Sequence, residues 1–153
     1  MEKIYADTSV IGGCFDTEFK EYSLGLFEEF KSGNFKLIRS DLVLMELAPA
    51  RPEIRNKLNE IPPGNIISAN VNAKTIELAL TYIEYGALTN KSYHDALHIA
   101  TATLNNVDVL ASWNFKHIVN FDKIKMYNAI NLRLGHKPIE IMTPRLILNI
   151  NDL

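Results

Sequence analysis

Four side chains stand where chemistry has a use for them: Asp7, Glu46, Asp95 and Asn114. Glu46 is the least comfortable. It lies in Leu42-Val43-Leu44-Met45-Glu46-Leu47-Ala48, which reads as a helix that is apolar on every side and therefore largely buried. A carboxylate taken out of water is costly unless it is hydrogen-bonded, paired or bound to a metal ion. The bland alternative is a helix edge from which Glu46 reaches solvent. Asp95 lies in Ser92-Tyr93-His94-Asp95-Ala96-Leu97-His98-Ile99-Ala100-Thr101-Ala102. Ser-x-x-Asp is a capping-box pattern, so this acid has a structural use as well as a chemical one. The alanines and β-branched residues behind it suit close packing beneath a site. His98 falls one turn after Asp95 on the same face, where it would organise water, face a phosphate, or simply pack with one hydrogen bond. His94, His117 and His136 show no ligand spacing among themselves.

Asp7 ends the apolar run Ile4-Tyr5-Ala6 and is followed by Thr8 and Ser9. A run without alternation reads as a strand covered on both faces, and ligands of open parallel sheets bind just beyond the carboxyl ends of strands. Asp, Thr and Ser are also good helix N-caps, so the acid has two readings. Asn114 follows the strand-like Val107-Asp108-Val109-Leu110-Ala111 and would either cap the next helix or hold a ligand. Trp113 beside it would stack on a base or, as is commoner for a single tryptophan, pack in the core.

The elements that must position these residues alternate along the chain. Phe19, Tyr22, Leu26, Phe27 and Phe30 predict a helix over 18–31 stopped by Gly33, and Phe35–Arg39 predicts a second strand. Ser40 caps a helix to about Ala48, Pro49 ends it, and Pro52 opens another that stops at Ile61-Pro62-Pro63-Gly64. Ile66–Ala69 is a brief strand. Asn72 caps a long helix whose apolar stripe is Ala73, Ile76, Leu80, Ile83 and Ala87, with Glu77 and Glu84 facing water and Gly86 at its end. A helix over 92–104, the strand 107–111, a basic helix with Lys123, Tyr127, Ile130 and Leu134 on one face, and a last strand at 139–142 complete the series. This order predicts one three-layer α/β/α domain over 1–153 with a mostly parallel central sheet.

Composition narrows the classes. The chain has 153 residues, a net charge of −2 and 47% hydrophobic residues, enough for one core and without a global basic field. From Asn114 onward six Lys or Arg oppose three acids, a net of +3 that leaves −5 on the first 113 residues. Any contact with nucleic acid is therefore local. Cys14 is the only cysteine, which rules out an internal disulfide and a thiolate metal site within one chain. The acid at position 7 and the lack of a long apolar run predict a soluble, cytoplasmic protein without a membrane span.

Asp7-Thr8-Ser9 after the first strand, Glu46-Leu47 in a helix, Asp95-Ala96-Leu97-His98-Ile99-Ala100-Thr101-Ala102, and Leu110-Ala111-Ser112-Trp113-Asn114 at a strand end occur in that order. Together they resemble the PIN-domain family, many of whose members are VapC-type toxins of toxin-antitoxin pairs, over residues 3 to about 142. The resemblance implies that Asp7, Glu46 and Asp95 converge at the carboxyl edge of the sheet and hold Mg²⁺ or Mn²⁺. It implies hydrolysis of RNA phosphodiesters, with Asp7 and Asp95 as direct ligands and Glu46 a ligand or a water-orienting group. Asn114 would hold water or phosphate, Thr8, Ser9 and His98 would support the site, and Lys116 would position the RNA backbone. Where the family often has a fourth aspartate this chain has Asn114, an oxygen donor without charge, which weakens the hold on a second ion.

The same resemblance implies a small antitoxin partner and a homodimer formed through exposed apolar residues of the helices over 40–48 and 72–86. The rival reading is a PIN-like domain with weak or no catalysis that binds RNA or protein, which Asn114 and the acidic charge favour. A phosphate-accepting receiver domain would want further acids before the first helix and a lysine after a late strand. A dehalogenase-type phosphatase would want an aspartate at Ser9.

Overall fold

The computed structural model describes residues 2–150; Asp152, counted among the acids above, lies outside them. Five strands, β1 (Glu2–Ala6), β2 (Phe35–Ser40), β3 (Ile66–Ala69), β4 (Val109–Ala111) and β5 (Ile141–Met142), form one sheet. Every pairing in it is parallel and the order is β3-β2-β1-β4-β5. Central β1 has Ile4, Tyr5 and Ala6 all buried, which is why its sequence does not alternate.

The helices are α1 (Thr8–Gly13), α2 (Lys20–Ser32), α3 (Asp41–Leu47), α4 (Pro52–Arg55), α5 (Ala73–Glu84), α6 (Tyr93–Leu104), α7 (Phe121–Arg133) and α8 (Pro144–Asn149). On the sheet so flanked, α2 packs on α8 and β2, and α5 packs along α6. This is the expected α/β/α architecture. Gly33 closes α2 in a left-handed conformation, φ 82°, that a residue with a Cβ adopts only under strain. Asn72 opens α5 with a reciprocal cap, accepting from the Thr75 N–H while Thr75 Oγ1 accepts from the Asn72 N–H.

The topology fixes where a site can form. From β1 the chain crosses to β2 on one side, whereas from β4 it crosses to β5 on the other. The strand order thus reverses between adjacent β1 and β4, and in open parallel sheets ligands bind beyond the carboxyl ends of the strands at such a point. Asp7 is the first residue after β1, and Ser112, Trp113 and Asn114 are the first three after β4.

Several expectations are corrected. The helix over 40–48 is buried on one side only: Leu42, Val43 and Leu47 face the core, while Leu44 and Met45 are exposed. On α5 the buried face is Thr75, Leu78, Ala79 and Tyr82, and Ile76 and Leu80 lie at the surface. The helix turns this way because Tyr82 reaches a buried partner, donating to Asn131 Oδ1 at 2.5 Å and lying 5.4 Å from the Tyr127 ring. A large aromatic with its hydroxyl satisfied outweighs two aliphatic residues left in water. The Ser92-Asp95 capping box does not form, since the chain enters α6 through a 3₁₀ turn at Asn90–Ser92 with no side-chain cap. Helix 18–31 begins at Lys20, and α1 and α8 were not anticipated.

Candidate active site

Asp7 is 3% exposed and sits at this switch point, directly after β1. Its Oδ1 accepts from the Val10 N–H at 3.3 Å, so it is the N-cap of α1, and from Ser9 Oγ at 2.5 Å. Its Oδ2 accepts from Ser112 Oγ at 2.5 Å. Both hydroxyls are oriented by the chain leaving β4: Ser9 Oγ accepts from the Trp113 N–H and Ser112 Oγ from the Asn114 N–H, each at 2.9 Å. Their single protons are then free for Asp7. Burial pushes the Asp7 carboxyl up, against the pull of His98, the Ser112 and Ser9 hydroxyls and the Val10 N–H.

Glu46, on α3, has a side chain 22% exposed and both oxygens occupied. Oε1 accepts from Thr8 Oγ1 at 2.5 Å and from His98 Nε2 at 2.6 Å; Oε2 lies 3.2 Å from His94 Nδ1. Burial alone would raise this carboxyl, but the His98 contact, followed by Thr8 and His94, holds it down at about 2. Glu46 is therefore an ionised group held between the residue after Asp7 and two imidazoles one turn apart on α6.

Asp95, in the first turn of α6, has no side-chain hydrogen bond among the described residues, and its charge adds to the burial that pushes the Tyr127 phenol up. The Tyr127 hydroxyl donates to the His117 carbonyl, and the His117 N–H donates to Asn114 Oδ1 at 3.0 Å. Asp95 thus lies within electrostatic reach of the turn that Asn114 caps, and Asn114 fills the capping role open to it. Lys116, in that turn, is exposed. Trp113 is a packing residue: it stacks on Phe19 with centroids 4.4 Å apart and donates Nε1–H to Ser23 Oγ at 2.8 Å.

Carboxylate, hydroxyl and amide oxygens around Asp7 are the donor chemistry of a hard divalent ion. Among the described residues, however, no three His, Cys, Asp or Glu side chains are gathered as a metal-holding group. The reason is visible at Glu46, whose oxygens are turned to imidazoles and a hydroxyl.

No family model matches the chain, and no curated protein matches it in sequence. Solved structures do. The sarcin-ricin-loop-cleaving toxin VapC20 of Mycobacterium tuberculosis superposes with a TM-score of 0.57 at 16% identity, over 74% of this chain and 92% of that one. VapBC2 of Rickettsia felis, bound to a DNA fragment from its promoter, gives 0.57 at 15% identity over 92% and 98%. DNA-bound VapBC of Salmonella typhimurium gives 0.57 at 15% over 94% and 99%. The chain has the VapC-type PIN fold.

On this PIN fold the site draws in residues and contacts beyond those named from the sequence. Ser112 was not singled out, although a hydroxyl at the end of a central strand was a signal. His94 and His98 are four apart on one helix, the spacing that lets both reach Glu46. The Tyr5 hydroxyl meets both His98 Nδ1 and the hydroxyl of Ser40, the cap of α3. No helix among the described residues is long and apolar enough to cross a membrane.

Proposed function

We propose that this chain is an endoribonuclease that depends on Mg²⁺ or Mn²⁺ and forms the toxin half of a toxin-antitoxin pair. The observation that carries the reading is Asp7: a buried carboxylate at the switch point of the sheet, held by two hydroxyls whose donor direction the β4 exit sets. Burial of such a charge has a cost that a capping role alone does not require, since exposed caps serve as well. The PIN fold shared with VapC toxins supports the same reading.

When bound, the ion would supply positive charge at the scissile phosphate and be held by Asp7 and Asp95. The chain's own residues do the rest. Ser9 and Ser112 keep Asp7 in one rotamer, and Glu46, ionised near neutrality, orients the attacking water. Asn114 offers its remaining amide to a phosphate or water, and exposed Lys116 attracts the RNA backbone. A small antitoxin is the proposed partner, covering the site at Asp7, and exposed Leu44, Met45, Ile76 and Leu80 are the proposed contact of a homodimer.

The test is cleavage of a mixed RNA pool by the purified protein with Mg²⁺, Mn²⁺ or EDTA, beside Asp7→Asn and Asp95→Asn. Metal-dependent cleavage lost in both variants supports the reading. Two observations favour a second: both oxygens of Glu46 are engaged and Asn114 brings no charge, as in a domain that binds RNA or protein without cutting. Absence of cleavage, with no Mn²⁺ binding that depends on Asp7 by calorimetry, would select it.

A further inference from the structure

The hydrogen bonds at Glu46 continue into the core. His98 meets Glu46 Oε1 through Nε2, and its Nδ1 lies 2.7 Å from the Tyr5 hydroxyl. That hydroxyl lies 2.8 Å from Ser40 Oγ, which accepts from the Val43 N–H at 3.1 Å as the cap of α3. Tyr5 and Ser40 are wholly buried and His98 nearly so. The chain of contacts therefore starts at the helix that carries Glu46, crosses β2 and β1, and returns to Glu46 from α6.

Proton counting gives it a direction. An ionised carboxylate has no proton to give, so His98 Nε2 donates to Glu46. If its Nδ1 carries no proton, it accepts the Tyr5 O–H, and the Tyr5 oxygen accepts from Ser40 O–H. Each hydroxyl uses its one proton. In the opposite direction Ser40 would receive from both Val43 and Tyr5, leaving its own proton without an acceptor among the described residues. Burial pushes the Tyr5 phenol up, so Tyr5 remains a neutral donor throughout.

Oε1 of Glu46 is thus fixed by Thr8, next to Asp7, and by His98, one turn after Asp95. Among the described residues Oε2 is held only by His94, whose side chain is 54% exposed. We propose that Tyr5 is a positioning residue which, by keeping the proton of His98 on Nε2, locks Oε1 of Glu46 against the elements bearing Asp7 and Asp95 and leaves Oε2 as the working oxygen. Oε1 is structural; Oε2 meets water or RNA once His94 swings away. This rests on the ribonuclease reading for its consequence but not for its geometry.

The experiment combines imidazole ¹⁵N NMR with kinetics on wild type, Tyr5→Phe, His98→Gln and the double variant. In wild type the His98 proton resides on Nε2. In Tyr5→Phe the ring becomes a mixture of tautomers, and kcat falls roughly ten- to a hundredfold while KM for RNA stays within about twofold. A glutamine amide donates without a tautomer to choose, so Tyr5→Phe costs far less in the His98→Gln background. A wild-type proton on Nδ1 overturns the proposal without any variant, as does a Tyr5→Phe ring unchanged from wild type or a loss that is simply additive. If wild type cuts no RNA, the nuclease reading falls and the NMR spectra alone decide the positioning.

Discussion

The Ser112 hydroxyl, just past β4, donates to Oδ2 of Asp7, just past β1, at 2.5 Å across 105 positions of chain. It joins the two strands at the point where their connections diverge. A carboxylate placed there is convenient for chemistry and uncomfortable for folding, and the two consequences can be separated.

Asp7→Asn is expected to abolish cleavage, by on the order of a thousandfold or more, while raising Tm. Burial raises the Asp7 carboxyl in the folded chain, so the folded state holds this proton more tightly than the unfolded one. Its contribution to stability falls as pH rises from the ordinary carboxylate range through the raised value, and stays low above it. The variant's Tm advantage should therefore grow with pH over that window in calorimetric scans. An advantage independent of pH would show that Asp7 is not the group titrating.

Glu46 has the opposite sign. Its carboxyl is held at about 2 against an ordinary value of 4.5, so its contribution is present above 4.5 and lost as pH falls toward 2. The depression corresponds to on the order of 3 kcal/mol at most. Glu46→Gln should lower stability near neutrality, with the gap to wild type closing through that acid window in denaturant titrations. The His98 imidazole is the largest lowering cause, ahead of the Thr8 hydroxyl and His94, so His98→Gln should also narrow the window.

The strands, their order along the chain and the acid that follows β1 were legible because burial on both faces leaves continuous apolar runs and because caps follow strands in α/β folds. Less legible was anything decided by a partner distant in sequence. The stripe on α5 was misread because Tyr82 turns toward Asn131, forty-nine positions away, and the alternation of Ile76 and Leu80 carries no trace of it. The six-residue α1 contains Gly12 and Gly13, poor helix formers, and its existence depends on the Asp7 cap and on packing against α2. Even the acids were found as types rather than as a geometry: that Glu46 would be held by His94 and His98 needs a side chain of α3 to reach the first turns of α6.

The two glycines of α1 differ sharply in surroundings. A Cβ at Gly13 would lie 2.5 Å from Ser23 Oγ and 2.8 Å from Trp113 Nε1, the two ends of one buried hydrogen bond, whereas at Gly12 it would meet nothing within 4 Å. Gly13→Ala should cost about 1–3 kcal/mol by forcing that pair apart. Gly12→Ala should be neutral or stabilise by up to about 1 kcal/mol through the unfolded chain. Urea titrations of both give the comparison, and equal effects would mean that the Trp113–Ser23 contact is not tight.

Asn114 offers the sharpest handle on the metal requirement. Its Oδ1 accepts from the His117 N–H, a cap that an aspartate satisfies equally well, so Asn114→Asp should change stability by less than about 0.5 kcal/mol. The added charge would stand two residues from Ser112 and so beside the turn that holds Asp7. Half-maximal cleavage should then need roughly tenfold less Mn²⁺, and EDTA should still abolish it. The substitution also lowers the local positive charge that draws RNA, so KM for RNA should rise while the Mn²⁺ requirement falls. A Mn²⁺ requirement unchanged by Asn114→Asp would show that this side chain serves only as the cap of its turn.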